Sequence, residues 1–548
     1  MTPTFSDSPS NAAPAACRCD DPRFCLLVPK SGSERRAPAM PALLAKFGLA
    51  GLERLEVDAA LPGEAAAALD AFLCDRTWCG ALFHPALQRE AMTALIRRAC
   101  NGERVCFSRE AKAAGLADLA LRDSAGGLHA EHLGASILEG ALRAMTAEVA
   151  QDGSKTALLF TDDANPCCAA LARAAMTLAD LDVHEVKLRA MPHPPAGSPR
   201  QASTGCPAYA DAEALCSVGG EQVPKIQGLC GAGPSGLADA AEACLEASRA
   251  ASAFPDAVVA VNASSAGRFP MPMATPLPLL SHFRALKGVC DVAGEPIRPR
   301  LLWDAQQLGL PAYSGFSLRI RWAKEAVEAL LGRPMRESIA RGIAADAELE
   351  ARSLILIGMP GCGKTTIGKI LAHKLMRRFV DVDELVAKRV GKPKLRIYQE
   401  DGEAFFREQE TRAILELARE RGLVISTGGG SCLRPCNRML LGLNGSFIWL
   451  RRPLSRLSTR DRPIAQARGV AALYEERAPI YASPHRRRHK RRRHGARRAR
   501  RSALLTTKND RTKKKPDADA APGLSSWKLL CVLASAEASA CGLISRGP

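Results

Sequence analysis

Apolar positions along the chain follow two rhythms. Ser353-Leu-Ile-Leu-Ile357 is a short unbroken apolar run, the pattern of a strand buried on both faces. After a glycine-rich interruption, Ile367, Ile370, Leu371 and Leu375 recur at the spacing of a helix with one buried side. Strands are predicted likewise at Phe24-Cys-Leu-Leu-Val28, Ala157-Leu-Leu-Phe160 and Ala257-Val-Val-Ala-Val261. Helices are predicted over Ile137–Ala150 and Ala323–Leu331. Strands alternating with helices point to an α/β fold. A Pro/Gly/Ser-rich stretch from Met191 to Gly236 is expected to be an inserted loop, and polar Glu337–Arg352 a helical connector.

Residues 1–22 have the composition of a disordered lead-in, without the apolar segment of a secretory leader. The expected division is a substrate domain over 23–150, a Rossmann-like domain over 151–335, a linker over 336–351, a phosphate-binding domain over 352–483 and a basic tail over 484–548. At 548 residues the chain has room for roughly three to four domains.

Charge and cysteine content change this picture little. The net charge is +19, but residues 486–515 hold sixteen Lys or Arg against the single acid Asp510, so basicity belongs to the tail. The 19 cysteines are dilute, and reduced thiols in a cytoplasmic protein are expected. No run of 18 apolar residues occurs, so no membrane partner is expected.

Gly358-Met-Pro-Gly-Cys-Gly-Lys-Thr365 satisfies G-x-x-x-x-G-K-[ST] between the predicted strand and helix, the context a P-loop requires. Its backbone N–H groups and the helix N-terminus suit a β-phosphate, Lys364 the β- and γ-phosphates, and the Thr365 hydroxyl Mg²⁺. Four further segments bear on the acceptor. Phe379-Val-Asp381-Val-Asp383 is predicted to end a strand with both carboxylates on one side; alone, the motif better fits a solvated helix start. Arg407 and Glu410 stand three apart on a predicted helix, as an exposed pair or as an arginine oriented to clamp a carboxylate. Leu423-Val-Ile-Ser-Thr427 leads into Gly428-Gly429-Gly430, a plain turn or a point of close backbone approach to ligand. Arg460-Asp-Arg462-Pro463 and Glu475-Glu-Arg477-Ala-Pro-Ile-Tyr481 suit arginine-bearing lids, or solvated surface arginines.

In this order the segments resemble shikimate kinase, over about 130 residues. The resemblance implies transfer of the ATP γ-phosphate to the 3-hydroxyl of shikimate. It implies ATP binding by Gly361, Cys362, Gly363, Lys364, Thr365 and Thr366, with Mg²⁺ on Thr365 and Asp381 in its outer shell. It further implies shikimate binding by Asp383, Arg407, Gly429 and Arg477, with Lys364, Asp383 and the lid residue Arg462 serving catalysis. The family closes with an edge strand and helix where this chain runs from Pro484 into Arg and His. A nucleic-acid-binding arm, a solvated tail and a translation artefact all fit that run; an artefact or divergent end is favoured, and no nucleic-acid partner is expected.

Residues 23–335 resemble shikimate dehydrogenase, through Arg36-Ala-Pro38-Ala-Met40, Gly127-Leu-His-Ala-Glu131-His-Leu-Gly134, Val261-Asn-Ala-Ser-Ser-Ala-Gly267, Val289–Pro296 and Ser314-Gly-Phe-Ser-Leu318. The chemistry departs from that family. Gln88 falls where a catalytic lysine is expected, and Glu131 where its aspartate partner is. Thr161-Asp-Asp-Ala-Asn-Pro166 replaces the pyrophosphate loop, with two carboxylates and no glycine. Gly231-Ala-Gly-Pro-Ser-Gly236 matches G-x-G-x-x-G but follows no strand, and a loop is expected there. NADP is therefore not expected as a cofactor. The expectation is a shikimate kinase fused to a dehydrogenase-like α/β region without turnover. The alternatives are a bifunctional dehydrogenase and kinase, and a non-catalytic shikimate-sensing regulator.

Overall fold

The computed structural model describes residues 22–30, 40–57, 64–147, 153–188, 234–269, 271–278, 280–457 and 469–482. Residues 1–21, 36–39, 191–233, 460–463 and the tail 484–548 lie outside the described residues, and with them the predicted lid residue Arg462. The chain divides into two compact units, Met1–Ala347 and Glu348–Pro548.

In the first unit, β1 (Arg23–Pro29), β2 (Glu53–Val57), β3 (Trp78–Phe83), β4 (Val105–Phe107), β5 (Leu119–Arg122) and β6 (Leu128–Glu131) form one sheet in the order β2-β1-β3-β5-β6-β4. β3 is parallel to β1 and antiparallel to β5, and all its residues are buried. Trp78 and Phe83 pack with Leu27, Leu69, Leu73 and Leu87 in its core.

The second sheet of this unit contains β7 (Thr156–Thr161), β8 (Asp182–Lys187), β9 (Val259–Asn262), β10 (Gly288–Asp291) and β11 (Ala312–Ser314). Its order is β11-β10-β9-β7-β8, every neighbouring pair parallel. Parallel strands covered on both faces read as continuous apolar runs, which is why β7 and β9 were legible. The strand order reverses between β7 and β9, and such a reversal opens a ligand crevice at the carboxyl ends of the strands. Helix α1 (Leu133–Thr146) packs Leu138, Leu142 and Met145 against Leu159, Val259 and Cys290. Helix α2 (Pro166–Leu178) starts just after β7. Helix α3 (Pro234–Ala251) begins inside the segment expected to be a loop, so Pro234, Ser235 and Gly236 form a first helical turn, with proline at the position it suits best. Helix α4 (Gly315–Leu331) is capped by Ser314. The predicted connector is helix α5 (Glu337–Ala351).

In the second unit, β12 (Ser353–Ile357), β13 (Phe379–Asp381), β14 (Val424–Ser426) and β15 (Gly445–Trp449) form a parallel sheet in the order β13-β14-β12-β15. β12 is central and fully buried, pairing Leu354 with Val424 and Ile355 with Phe447. Around it lie helices α6 (Lys364–Lys374), α7 (Val382–Val390), α8 (Gly402–Ala418) and α9 (Val470–Ala482). The D-x-D expectation is corrected here: the strand stops at Asp381, which caps α7, and Asp383 lies in that helix's first turn. Among the described residues, no helix is long and apolar enough to cross a membrane, and the cysteines are free thiols.

Candidate active site

The loop between β12 and α6 turns through Gly358, Gly361 and Gly363, all at positive φ, where a Cβ is strained. At Gly358 a Cβ would also stand 2.5 Å from the Leu450 carbonyl oxygen. Lys364 is buried and folds back into the loop, donating to the carbonyls of Gly358 at 2.9 Å and Met359 at 3.1 Å. The loop thus encloses its own ammonium. The next residue, Thr365, donates to Asp381 Oδ2 at 2.8 Å, and Asp381 Oδ1 accepts the Asp383 N–H at 3.0 Å. Two hard oxygen groups therefore stand side by side where β13 ends, beside the start of α6.

A second cluster is built around Gly428, Gly429 and Gly430, after β14. None of the three is at positive φ; space is what demands glycine. A Cβ on Gly428 would lie 2.7 Å from Asp383 Oδ1 and 3.0 Å from Glu410 Oε1. On Gly429 it would meet Pro360 at 2.8 Å and Arg477 Nη1 at 3.0 Å, and on Gly430 it would strike the Arg407 guanidinium. The turn therefore draws together Asp383, Arg407, Glu410, Arg477 and the P-loop residue Pro360.

Each of these groups is held from outside the turn. Arg407 on α8 donates to Glu410 Oε2 at 3.0 Å and Glu403 Oε1 at 3.1 Å. Burial works against its charge, but Glu410 and its other acidic neighbours hold the guanidinium above its ordinary range. Glu410 has no exposed side-chain surface and also accepts from Ser431. Burial pushes its carboxyl up, against the opposing pull of Arg407 and Ser431. Arg477 is buried on α9. Tyr481, one turn further on, donates to the Gly429 carbonyl at 2.6 Å and fastens the helix to the glycine turn. Asp383 Oδ2 accepts from Lys394 at 2.6 Å. Asp383 Oδ1 and Arg477 Nε are buried without a hydrogen-bond partner. An acceptor and a donor left unpaired around one turn mark a place where a polar ligand would complete the bonding.

Of the residues singled out in sequence, Gly361 and Lys364 stand in the loop, Thr365, Asp381 and Asp383 share hydrogen bonds, and Asp383, Arg407, Gly429 and Arg477 meet at the glycine turn. Cys362 is buried in the loop, and Thr366 lies on α6. Lys394, Tyr398 and Ser431 were missed. Ser431 directly follows the glycine run, a usable signal; Lys394 has no local one.

The first unit's expected site is different in kind. Gln88 opens the helix Gln88–Cys100 and is buried, its Nε2 donating to the Phe83 carbonyl at 3.4 Å. Glu131 ends β6, and burial, then Asp118 and Glu110, push its carboxyl up. Asp162 lies at the carboxyl end of β7, beside the order reversal. Its Oδ2 accepts from the Ser265 N–H at 2.6 Å and from the Ser265 hydroxyl. Its Oδ1 accepts from the Ala164 N–H at 3.1 Å and Asn165 Nδ2 at 3.3 Å. A carboxylate thus takes the backbone donors at the crevice before α2. Asp163 is exposed and pairs with Lys187 at 2.7 Å.

A sequence model of the shikimate kinase family matches residues 360–505. The shikimate kinase of Nitrosomonas europaea is 38% identical over 138 residues, which are 24% of this chain and 65% of the relative's length. That of Aromatoleum aromaticum is 39% identical over 137 residues, 23% of this chain and 78% of the relative. The crystal structure of a shikimate 5-dehydrogenase from Thermus thermophilus is 17% identical, over 60% of this chain and 100% of its own, with a TM-score of 0.35. The family model spans Gly361–Thr366, the acidic helix start, Arg407, Arg477 and the glycine turn, and with a relative 39% identical over 78% of its length the chain belongs to the shikimate kinase family.

Proposed function

We propose that the second unit, over residues 352–483, transfers the γ-phosphate of ATP to the 3-hydroxyl of shikimate in aromatic (chorismate) biosynthesis. The observation that carries this reading is the glycine turn, which gathers Asp383, Arg407, Arg477 and the P-loop residue Pro360 around its three glycines. An anionic hydroxy acid needs cations for its carboxylate and an acceptor for its hydroxyl, within reach of the γ-phosphate. Arg407 and Arg477 supply the first, as guanidinium groups suited to bidentate carboxylate binding. Asp383, with Oδ1 unpaired, supplies the second.

Gly361, Cys362, Gly363, Lys364, Thr365 and Thr366 hold the nucleotide. Lys364 exchanges the loop carbonyls of Gly358 and Met359 for phosphate oxygens. Thr365 and Asp381 fit Mg²⁺, a hard cation that takes one or two protein oxygens and completes its shell with phosphate and water. When bound, Mg²⁺ neutralises charge on the β- and γ-phosphates. In the transfer, the bond from the γ-phosphorus to the β–γ bridging oxygen breaks and the bond to the acceptor oxygen forms. ADP leaves with the bridging electrons, and Asp383 takes the hydroxyl proton. Arg462 is assigned to the lid from its sequence segment.

Shikimate-dependent ADP release by the full chain, followed in a coupled assay, tests the reading. Turnover that requires both ATP and shikimate is expected. Shikimate binding without ADP release would instead favour the sensing alternative. For the first unit we infer a fold without NADP-dependent turnover, supported by the Asp162 carboxylate in the crevice and by Gln88, which carries no charge to move a proton.

A further inference from the structure

Lys394 belongs to none of the segments that mark the family. It opens the short helix Lys394–Arg396, and its side chain is exposed. Its ammonium lies 2.6 Å from Asp383 Oδ2, and also 5.2 Å from the centre of the Phe406 ring and 5.9 Å from that of Tyr398. Those rings stand 4.6 Å apart. They form an apolar wall with negative faces, a surface that favours a lysine stem beneath a cation. Tyr398 is part of the same electrostatic environment: burial, followed by the influence of Arg407, Glu410, Glu403 and Asp383, sets the behaviour of its phenol, which is pushed up.

The two oxygens of Asp383 are therefore in unequal positions. Oδ2 is occupied by Lys394; Oδ1 is buried, unpaired and turned to Gly428. A carboxylate free to rotate about its terminal torsion has a broad, two-fold preference, so something must select the orientation that leaves Oδ1 to the acceptor. The Asp383 N–H fixes the backbone through Asp381, but the side chain's bond in this structure is to Lys394. We propose that Lys394 is a positioning residue for phosphoryl transfer: it anchors Asp383 Oδ2 so that Oδ1 faces the acceptor hydroxyl. The role rests on Asp383 being the acceptor-side carboxylate, as proposed above.

The test uses the full chain with ATP and shikimate. Lys394→Met keeps the stem against the two rings and removes the charge. Loss of one charge-assisted bond, partly screened by solvent, should lower kcat by roughly tenfold. KM for ATP and KM for shikimate should each stay within about twofold, because the mis-set carboxylate is felt mainly in the transition state. Lys394→Arg, which restores a cation, should recover kcat to within about threefold of the parent. In an Asp383→Asn background, Lys394→Met should change kcat by less than about twofold, the signature of a role exerted through Asp383.

An unchanged kcat in Lys394→Met overturns the proposal. So does a rise in KM for shikimate at constant kcat, which would make Lys394 a substrate ligand. A full tenfold loss persisting in the Asp383→Asn background overturns it as well. Should Lys394→Met not fold, Lys394→Gln carries the same expectations. An inactive parent chain overturns the kinase reading and this role together, whereas an active parent indifferent to Lys394 overturns this role alone.

Discussion

Asp291 shows how far a single buried group can shape this protein. It ends β10, accepts from Asn262 Nδ2 at 2.6 Å and from the Ala293 N–H at 3.1 Å, and has no exposed surface to speak of. Burial pushes its carboxyl up to about 6 from 3.8, against the opposing influence of Arg268 and Asn262. Between those values the folded chain holds a proton that the unfolded chain has released. The group's contribution is therefore complete below about pH 4 and is lost as pH rises through about 6, for a change on the order of 3 kcal/mol. The melting temperature of the first unit should carry a falling component across that window, and Asp291→Asn should flatten it. A slope identical in the variant and the parent would show that the carboxyl does not titrate there. The same contrast between type and environment separates Arg407 from Arg477. Sequence singled out both, but only the structure shows one tied to two glutamates and the other with its Nε unpaired.

At the scale of elements, the glycine turn after β14 is the piece on which the proposed acceptor site depends. Its backbone angles are ordinary, so another residue could adopt them; the obstacle is the crowd of charged groups on its surface. Gly430→Ala should push the Arg407 guanidinium off Glu410. We expect kcat/KM for shikimate to fall by about a hundredfold, equivalent to ~2.7 kcal/mol of transition-state stabilisation, while KM for ATP is held. Steady-state kinetics checks this, and equal losses toward both substrates would place the damage in the fold instead. The strand-to-helix junction at Asp381 teaches a related lesson. Alternation predicted two carboxylates on one strand face, but Asp381 Oδ1 accepts the Asp383 N–H and starts α7 at that point. A capping aspartate and a strand-end aspartate look alike in sequence, and the competition is decided by whichever backbone donors are left unpaired.

At the scale of the molecule, the two units invite opposite expectations toward nucleotides. The second presents a P-loop with its lysine enclosed, and the first fills its crevice with Asp162. A ligand that binds only the folded state raises its melting temperature by mass action. ATP with Mg²⁺ should therefore raise a thermal transition of the full chain, and NADP⁺ at the same concentration should raise none. Shikimate-dependent NADPH formation, or a clear NADP⁺-induced shift, would restore the bifunctional alternative. Asp162 was legible only as a charge in the wrong place; that it takes the Ser265 N–H across the crevice required the fold.

The sequence by itself determined the α/β class and the P-loop with its strand and helix, because strand burial and phosphate cradling demand particular residue types at short, regular spacing. The roster of Asp383, Arg407, Gly429 and Arg477 came from the resemblance to shikimate kinase, since each segment alone had a plainer reading. Tertiary structure alone decided which atoms of that roster are spoken for. Lys394 reaches Asp383 from another helix, Tyr481 bonds the backbone of Gly429, and Ser265 meets Asp162 from 103 residues away. Those contacts depend on how elements distant in sequence pack, and no local pattern of hydrophobic and polar positions encodes them.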